Sequence, residues 1–346
     1  MDGVNLQRML LEAAVDGGIR QIEKDPRRGV RRLVDLGRQI SKGRFQSQIF
    51  CLFQGLLENE SSPYYDLISR LVARVDHRTL KRVGINVGFE SWTNGARCIR
   101  ETEERGGFCV PWTMLLHMAP GRAGALPVEA YAQIVERGTA LGVNTYQLLL
   151  DEPAPDIGVL TRLFSRFPRS VFLCFLKDAR LPPADIDVLS SAHNAVVSVP
   201  AQVDGAEALA RRLRGAECLY AAHWRYGCAE DAACGEAMQR VAELESPLVL
   251  FIAEPNCPQA DRAQVAGFAL EARTHQRYPM ILMDLYEDIR YVDRIISSQE
   301  CLVEVAEDGR LYGSDVNIGA LPLEAALRAR FPLVAGKENA AACSRA

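Results

Sequence analysis

The chain has 346 residues, 48% of them hydrophobic, which is long enough for a large core or two domains and typical of a globular protein. Its formal net charge of −4 is modest for this length, so bulk charge gives no reason to expect a nucleic-acid or membrane partner. No run approaches the roughly 18 apolar residues of a membrane span, and the first residues lack the basic and apolar regions of a secretory signal. We therefore expect a cytoplasmic protein.

Residues 1–108 place apolar side chains at helical spacing throughout. The pattern predicts helices over Asn5–Lys24, from Asp25-Pro26, over Gln46–Glu58, from Pro63, from Leu80 and over Ala96–Glu104. Gly106-Gly107 then gives a helix stop signal. We predict an all-α N-terminal region, residues 1–108, that packs on the part that follows.

The interval 24–44 within this region is strongly basic, and only Asp25 and Asp35 oppose its lysines and arginines. One interpretation is a face that binds an anion or a partner. The other, which we favour, is a solvated helix face whose arginine stems cover apolar surface. The interval contains no aromatic residue on which single-stranded nucleic acid would stack.

From Val110 to about Leu285, short apolar runs alternate with helical segments. The predicted strands are Thr113–Leu116, Tyr146–Leu150, Val171–Leu176, Ala195–Val199, Cys218–Ala222, Leu248–Ala253 and Met280–Met283. The predicted helices between them are Val128–Leu141, Asp156–Arg166, Pro183–Ser191, Gly205–Arg214, Ala232–Glu243 and Gln259–Thr274. This alternation predicts an α/β fold with a parallel sheet, either open or curled into a barrel.

The C-terminal part carries a turn signal, Glu307-Asp308-Gly309, between the apolar runs Leu302–Val305 and Leu311–Tyr312. These features predict a β-hairpin, followed by a helix over Pro322–Arg330 with proline in its first turn. We assign residues 291–334 to a hairpin and helix extension. The last residues, 335–346, are expected to form a disordered tail.

The stretch from Phe108 to Pro155 carries a resemblance to a known family. The phrases VPWTMLL, LGVNTYQLLLDEP and RFPRSVFLCFLKDARL resemble the opening of a radical S-adenosylmethionine (SAM) enzyme with a helical N-terminal region. The resemblance implies a partial (β/α)6 TIM-like barrel over residues 109–290, and the C-terminal extension is similar to the SPASM-like tails of that superfamily.

In that superfamily the loop after the first strand carries CxxxCxxC, whose thiolates hold a [4Fe–4S] cluster. The equivalent loop, His117 to Ala125, contains no cysteine. Because three thiolates are needed to hold such a cluster, we expect none at this loop and no radical SAM chemistry of the usual kind. Places that hold cysteines in the related tails hold Ile295 and Ser314.

The resemblance also implies candidate residues for binding SAM. Glu152-Pro153 match the end of the motif, usually GGEP, that holds the amino group of SAM, whereas its glycines are replaced by Leu150 and Asp151. Ser198 matches a serine of the fourth strand. The cofactor-binding candidates are therefore Asp151, Glu152 and Ser198, and SAM and a divalent metal are the candidate cofactors.

Polar residues follow the predicted strands at their C-terminal ends, where parallel sheets and barrels place their sites. They are His117, Asp151, Glu152, Lys177, His223, Glu254 and Asp284. A pair of histidines with a carboxylate suits a divalent metal, so His117, His223 and Glu254 are candidate metal ligands. A lysine beside carboxylates suits acid–base chemistry, so His117, Glu152 and Lys177 are candidate catalytic residues. A barrel mouth is also polar merely because loops meet solvent there.

Three functions remain open from the sequence. The favoured one is a non-catalytic companion or regulator in a biosynthetic pathway, which recognises a peptide, a small molecule or a protein partner. The second is a repurposed enzyme whose residues His117, Glu152, His223 and Glu254 hold a metal or act as acid and base. The third is a regulator that binds SAM through Glu152 without cleaving it.

Overall fold

The computed structural model describes residues 3–40, 44–119, 121–151, 156–233 and 235–333. The predicted tail, 335–346, and the candidate residue Glu152 lie outside these ranges. Among the described residues, no helix is both long enough and apolar enough to cross a membrane.

The N-terminal region is helical, as predicted. Its α-helices are α1 (Gly3–Lys24), α2 (Pro26–Ile40), α3 (Arg44–Glu58), α4 (Pro63–Arg74), α5 (His77–Ile85) and α6 (Ala96–Gly106). Ser62 and Asp76 cap α4 and α5 by accepting backbone N–H groups, and Gly107, with φ of 67°, ends α6 in the left-handed region.

A π-helix, Asn86–Gly95, joins α5 to α6 and was not predicted. Two hydroxyls within it donate to carbonyls five residues earlier: Ser91 Oγ to Asn86 O (3.1 Å) and Thr93 Oγ1 to Gly88 O (2.8 Å). Side-chain hydroxyls that bond the backbone compete with regular α-helical hydrogen bonds. The spacing of apolar residues does not reveal this competition, so the sequence pattern predicts an ordinary α-helix here.

Part of the basic interval 24–44 is structural. Arg31 donates from Nε to the hydroxyl of Tyr65 (2.7 Å) and from Nη2 to Leu57 O (3.2 Å), and its guanidinium lies over the Tyr65 ring. Tyr65 and Leu57 belong to a small separate core within the N-terminal helices. Arg28 and Arg32 are exposed, as expected of a solvated face.

The sheet has eight strands in the order β7-β6-β5-β4-β3-β2-β1-β8, and every described pairing is parallel. The strands are β1 (Thr113–Met118), β2 (Thr145–Leu150), β3 (Val171–Phe175), β4 (Ala195–Pro200), β5 (Tyr220–Tyr226), β6 (Leu248–Ala253), β7 (Ile281–Asp284) and β8 (Val303–Val305). The sheet curls into a half-barrel, which confirms the predicted α/β fold with a partial TIM-like barrel.

Helices follow the strands in the βα order. They are α7 (Val128–Leu141), α8 (Ile157–Arg166), α9 (Pro183–Ser190), α10 (Ala206–Gly215), α11 (Ala229–Ala233), α12 (Gly235–Glu243), α13 (Gln259–Thr274), α14 (Leu285–Ile296) and α15 (Leu323–Arg330). The strands are buried on both faces, because one face packs against these helices and the other lines the barrel interior.

Two strands differ from the prediction in ways that matter for the site. β5 begins at Tyr220 and runs to Tyr226, four residues past the predicted end at Ala222, because it pairs with β6 up to Tyr226. β8 was predicted only as one arm of a hairpin. It also joins the barrel sheet, with Met114 opposite Val303 and Leu116 opposite Val305.

The predicted turn after β8 is present. Val305 bridges Leu311 in antiparallel fashion, and Gly309 takes a φ of 88° at the turn. The backbone N–H of Tyr312 donates to the carbonyl of Glu304 (2.9 Å). The hairpin therefore lies along the outer edge of β8 while the inner edge of β8 pairs with β1.

Two buried carboxylates, one on α14 and one on α6, bind backbone groups near the N-terminal ends of the strands. Asp293 of α14 accepts from the backbone N–H groups of Trp112 (3.2 Å) and Cys301 (3.0 Å). Glu103 of α6 accepts from the backbone N–H groups of Val110 and Ser298, both at 2.9 Å. Burial outweighs these bonds and raises the pKa of Asp293 to about 7.

Candidate functional site

The C-terminal ends of β1, β2 and β8 bring three ionisable side chains together. Nδ1 of His117 lies 2.9 Å from Oδ2 of Asp151, and Nε2 lies 2.9 Å from Oε1 of Glu304. The side chains of His117, Asp151 and Glu304 are 14%, 25% and 13% exposed. Since ionised carboxylates only accept hydrogen bonds, both ring nitrogens act as donors.

His117 is therefore an imidazolium. Burial by itself lowers the pKa of His117, but the hydrogen bonds to Asp151 and Glu304 and their negative charges outweigh it and raise this pKa to about 9. The group thus sets two carboxyl groups against one imidazole at the barrel mouth.

The backbone fixes these side chains in place. The parallel pairing of β8 with β1 places Glu304 opposite Leu115, so Glu304 reaches His117 two residues further along β1. The Asp151 N–H donates to Met118 O (3.0 Å), and Tyr131 donates from its hydroxyl to His117 O (2.7 Å).

Three further side chains surround this group. Tyr286, the second residue of α14, donates from its hydroxyl to Oε1 of Glu304 (3.1 Å). The ring of Tyr312 lies 5.1 Å from that of His117, centroid to centroid. Lys177 is exposed and donates from Nζ to the carbonyl of Asp151 (2.9 Å).

His223 and Ser198 form a separate pair inside the half-barrel. Nδ1 of His223 lies 2.9 Å from Oγ of Ser198, and the edge of the ring meets Phe175 at a centroid distance of 5.4 Å. His223 is fully buried, and its Nε2 has no hydrogen-bond partner among the described residues. Burial, followed by the nearby charge of Arg225, lowers the pKa of His223 to about 3, so its ring is neutral.

His223 was predicted to stand at a strand end, and this was wrong. Because β5 continues through Tyr226, His223 lies in the middle of the strand with its side chain in the interior. The remaining strand-end residues are at the rim: Glu254 is exposed, and Asp284 caps α14 and accepts from the hydroxyl of Tyr226 (2.8 Å).

The predicted site residues thus fall into two groups. His117, Asp151 and Lys177 are together, as are Ser198 and His223, and no described contact joins His117 to His223 or either histidine to Glu254. Within the described ranges, no three His, Cys, Asp or Glu residues form a group that could hold a metal.

Sequence reasoning missed Glu304, Tyr286 and Arg225. Glu304 falls between two fully buried valines, Val303 and Val305. That alternation indicates a strand with one face turned to a polar site. The hairpin interpretation assigned this strand to a peripheral element, so its glutamate was not considered.

The loop after β1 does not fit a [4Fe–4S] cluster. Cysteine thiolates hold such a cluster, residues 117–125 include no cysteine, and the ring nitrogens of His117 contact two carboxylates. Cys109 and Cys301 precede β1 and β8 at the opposite end of the strands, where both are buried.

Comparisons with known proteins add similarity of fold. No protein-family model and no curated protein matches the chain. Among solved structures, the chain is similar to Streptococcus suis SuiB bound to S-adenosylmethionine, with 11% identity, a TM-score of 0.47, and coverage of 69% of this chain and 68% of that chain. SuiB bound to precursor peptide SuiA gives 10% identity, a TM-score of 0.46 and 69% coverage of both chains.

A further match is anSMEcpe with bound AdoMet, at 12% identity and a TM-score of 0.42, covering 62% of this chain and 80% of that chain. At such identities and TM-scores the similarity concerns fold and supports no statement about activity.

Proposed function

We propose that this protein is a non-catalytic binding protein, related to radical SAM enzymes, that takes a small molecule or a peptide segment at the C-terminal mouth of its half-barrel. The mouth offers charged and aromatic groups on rigid strands and on the start of α14, as a ligand site requires. The absence of cysteine from residues 117–125 supports a function other than radical SAM chemistry by the usual cluster.

The observation that carries the proposal is that both ring nitrogens of His117 contact carboxylates, which favours the protonated ring. A histidine that ligates a metal does so as a neutral ring with one free nitrogen. Both nitrogens of His117 instead contact carboxylates at 2.9 Å, and these contacts hold it as a cation. The arrangement favours a fixed, charged recognition surface over a metal centre at this residue.

SAM is one candidate for the ligand. Of the residues that the resemblance implies for SAM, Asp151 lies at the mouth, whereas Ser198 is buried and hydrogen-bonded to His223. Glu152 lies outside the described residues. Of the two candidates that the structure describes, Asp151 is therefore the one available to SAM at the mouth, and the proposal covers other small molecules and peptides equally.

The test follows the ring signals of His117 by NMR during a zinc chloride titration. We expect one equivalent of zinc to leave the His117 signals and the melting temperature unchanged. His275→Gln, which removes an exposed histidine, is the matched control for surface binding. Stoichiometric zinc that shifts the His117 signals, and that is lost in His117→Gln but retained in His275→Gln, would contradict the proposal.

Ligand binding itself is tested by thermal shift. SAM and short peptides are added to the wild type and to Tyr286→Phe, which loses only the hydroxyl that donates to Glu304. We expect a ligand-dependent rise in melting temperature for one probe class, reduced in the variant. Equal rises in both proteins would place the binding site elsewhere than this mouth.

A second candidate function is acid–base catalysis. It is favoured by the continuous hydrogen-bonded chain Asp151, His117, Glu304 and Tyr286, which could relay a proton between the mouth and α14. In that case a turnover measured with a ligand found by thermal shift would fall by several orders of magnitude in His117→Gln. A protein that only binds its ligand would show no turnover in either the wild type or His117→Gln.

A further inference from the structure

The strand β5 carries two polar side chains that the Asp151–His117–Glu304 group does not use. We infer that Arg225, together with His223, forms a receptor for a carboxylate group on the ligand. The inference rests on the proposed function, because it assigns ligand chemistry to one wall of the same mouth.

Arg225 follows His223 by two residues, so both side chains lie on the same face of β5. The half-buried guanidinium makes no hydrogen bond or ion pair to any residue in the described part of the chain. The backbone of Arg225 is held by Gln202, whose amide oxygen accepts from the Arg225 N–H (3.1 Å) and whose amide nitrogen donates to the Arg225 carbonyl. An arginine with a braced backbone and an uncommitted head group is ready to bind an anion.

Two neighbours place the Arg225 charge within the mouth. It lowers the pKa of His223, below it on β5, and it also acts to lower the pKa of Tyr286, whose hydroxyl bonds Glu304. The guanidinium is therefore within electrostatic reach of both His223 and Tyr286.

His223 adds a second hydrogen-bonding atom on the same face of β5 as Arg225. A fully buried ring nitrogen without a partner is uncommon, because it loses its bond to water without replacement. When the Ser198 hydroxyl donates to Nδ1, the ring proton sits on Nε2, which then offers an N–H to an acceptor. A carboxylate on Arg225 is an acceptor that satisfies this atom.

The surroundings define the class of ligand. The interior face beside His223 is apolar, with Leu250 on the adjoining strand β6 and Phe175 on β3, both buried. The group of His117, Asp151 and Glu304 holds two carboxyl groups for one imidazole. A fitting ligand has a carboxylate for Arg225, an apolar body for the interior face and a cationic or hydrogen-donating group for Asp151 and Glu304. Free amino acids and peptide termini belong to that class.

The test uses the ring signals of the five histidines in the chain. The His223 signal is identified as the one missing in His223→Gln and, independently, as a signal that keeps the chemical shift of a neutral ring between about pH 5 and pH 8. Sodium acetate is the probe, acetamide is its neutral isostere, and sodium chloride at equal ionic strength controls for salt. We expect a saturable shift of the His223 signal with acetate and none with acetamide or chloride.

Arg225→Met removes the charge and keeps an unbranched apolar side chain, and Arg225→Lys retains the charge. We expect acetate to bind at least about tenfold more weakly to Arg225→Met, as loss of a charge-assisted hydrogen bond predicts, and Arg225→Lys to recover part of the affinity. Circular dichroism and the melting temperature verify that both variants fold.

An acetate shift of equal affinity in wild type and Arg225→Met would overturn the inference. A shift confined to the His117 signal would also overturn it while leaving the mouth as a ligand site, so the inference and the proposed function fail separately. If acetate produces no saturable shift at any histidine, the carboxylate receptor is overturned. The thermal-shift comparison with Tyr286→Phe would then still test whether the mouth binds a ligand.

Discussion

His117 and Glu304 are 187 positions apart in the chain, yet His117 Nε2 and Glu304 Oε1 lie 2.9 Å apart. The contact exists because β8 returns to pair in parallel with β1. The candidate site is thus assembled by the last strand of the sheet together with the first two.

The raised pKa of His117 predicts a pH-dependent stability. The protonated ring favours the folded state, so its contribution is complete below the unfolded pKa of about 6.5 and is lost as pH rises through about 9. The difference corresponds to roughly 3 kcal/mol at most. Urea unfolding measured across this window should show the loss in wild type and a flatter profile in His117→Gln. The exposed His275→Gln should retain the wild-type slope.

Glu304→Gln should lower the pKa of His117, because it replaces one of the two carboxylates that stabilise the imidazolium. We expect a stability loss of about 1–3 kcal/mol near neutral pH. The pKa is read from the His117 ring signals. Glu324→Gln, on the first turn of α15, is the matched exchange away from the site. An unchanged His117 pKa in Glu304→Gln would show that this carboxylate does not hold the ring.

The raised pKa of Asp293 predicts that the free energy of unfolding falls with rising pH, over a lower pH range than the one predicted for His117. The pKa of Asp293 is raised to about 7, above the roughly 3.9 of an unfolded aspartate, so the folded state binds the proton more tightly and loses relative stability between these values. Asp293→Asn should remove this slope, although one of the two backbone N–H partners, Trp112 or Cys301, loses its acceptor. The exposed Asp315→Asn serves as the control. A slope that persists in Asp293→Asn would assign it to another group.

Protein purified without oxygen should lack the broad absorbance near about 400 nm that iron–sulfur clusters give. The reason is that the loop after β1 supplies no thiolate. Iron content and the spectrum are measured on the same sample. Several irons per chain with such a band would contradict the proposal and would direct attention to cysteines elsewhere, such as Cys228 and Cys257 after β5 and β6.

Local pattern predicted much of the fold. The helix bounds Val128–Leu141 and Gln259–Thr274 and the strand Leu248–Ala253 were predicted as observed, because each has strong apolar periodicity and clear flanking signals. The end of β5 was missed since His223 and Arg225 are polar, and polarity was taken to end the strand. Pairing with β6, a contact between distant segments, keeps those residues extended and places His223 inside.

The site was predicted in part for the same reason. The sequence singled out His117, Asp151 and Lys177, whose positions follow from strand ends. Glu304 depends on the return of β8 to β1, and local pattern contains no information about which distant strand a segment joins. Tyr286 depends in turn on where α14 begins relative to β8.

The hairpin after β8 also determines how copies of this protein behave toward one another. An edge strand with free backbone groups is a template for another chain, and an open half-barrel has such edges by construction. The turn at Gly309 folds the chain back, so that the backbone of Tyr312 bonds Glu304 along the outer edge of β8. The segment that places an aromatic ring over His117 therefore also protects that edge from strand addition. Substitutions that unfold the hairpin would promote self-association as well as disturb the site.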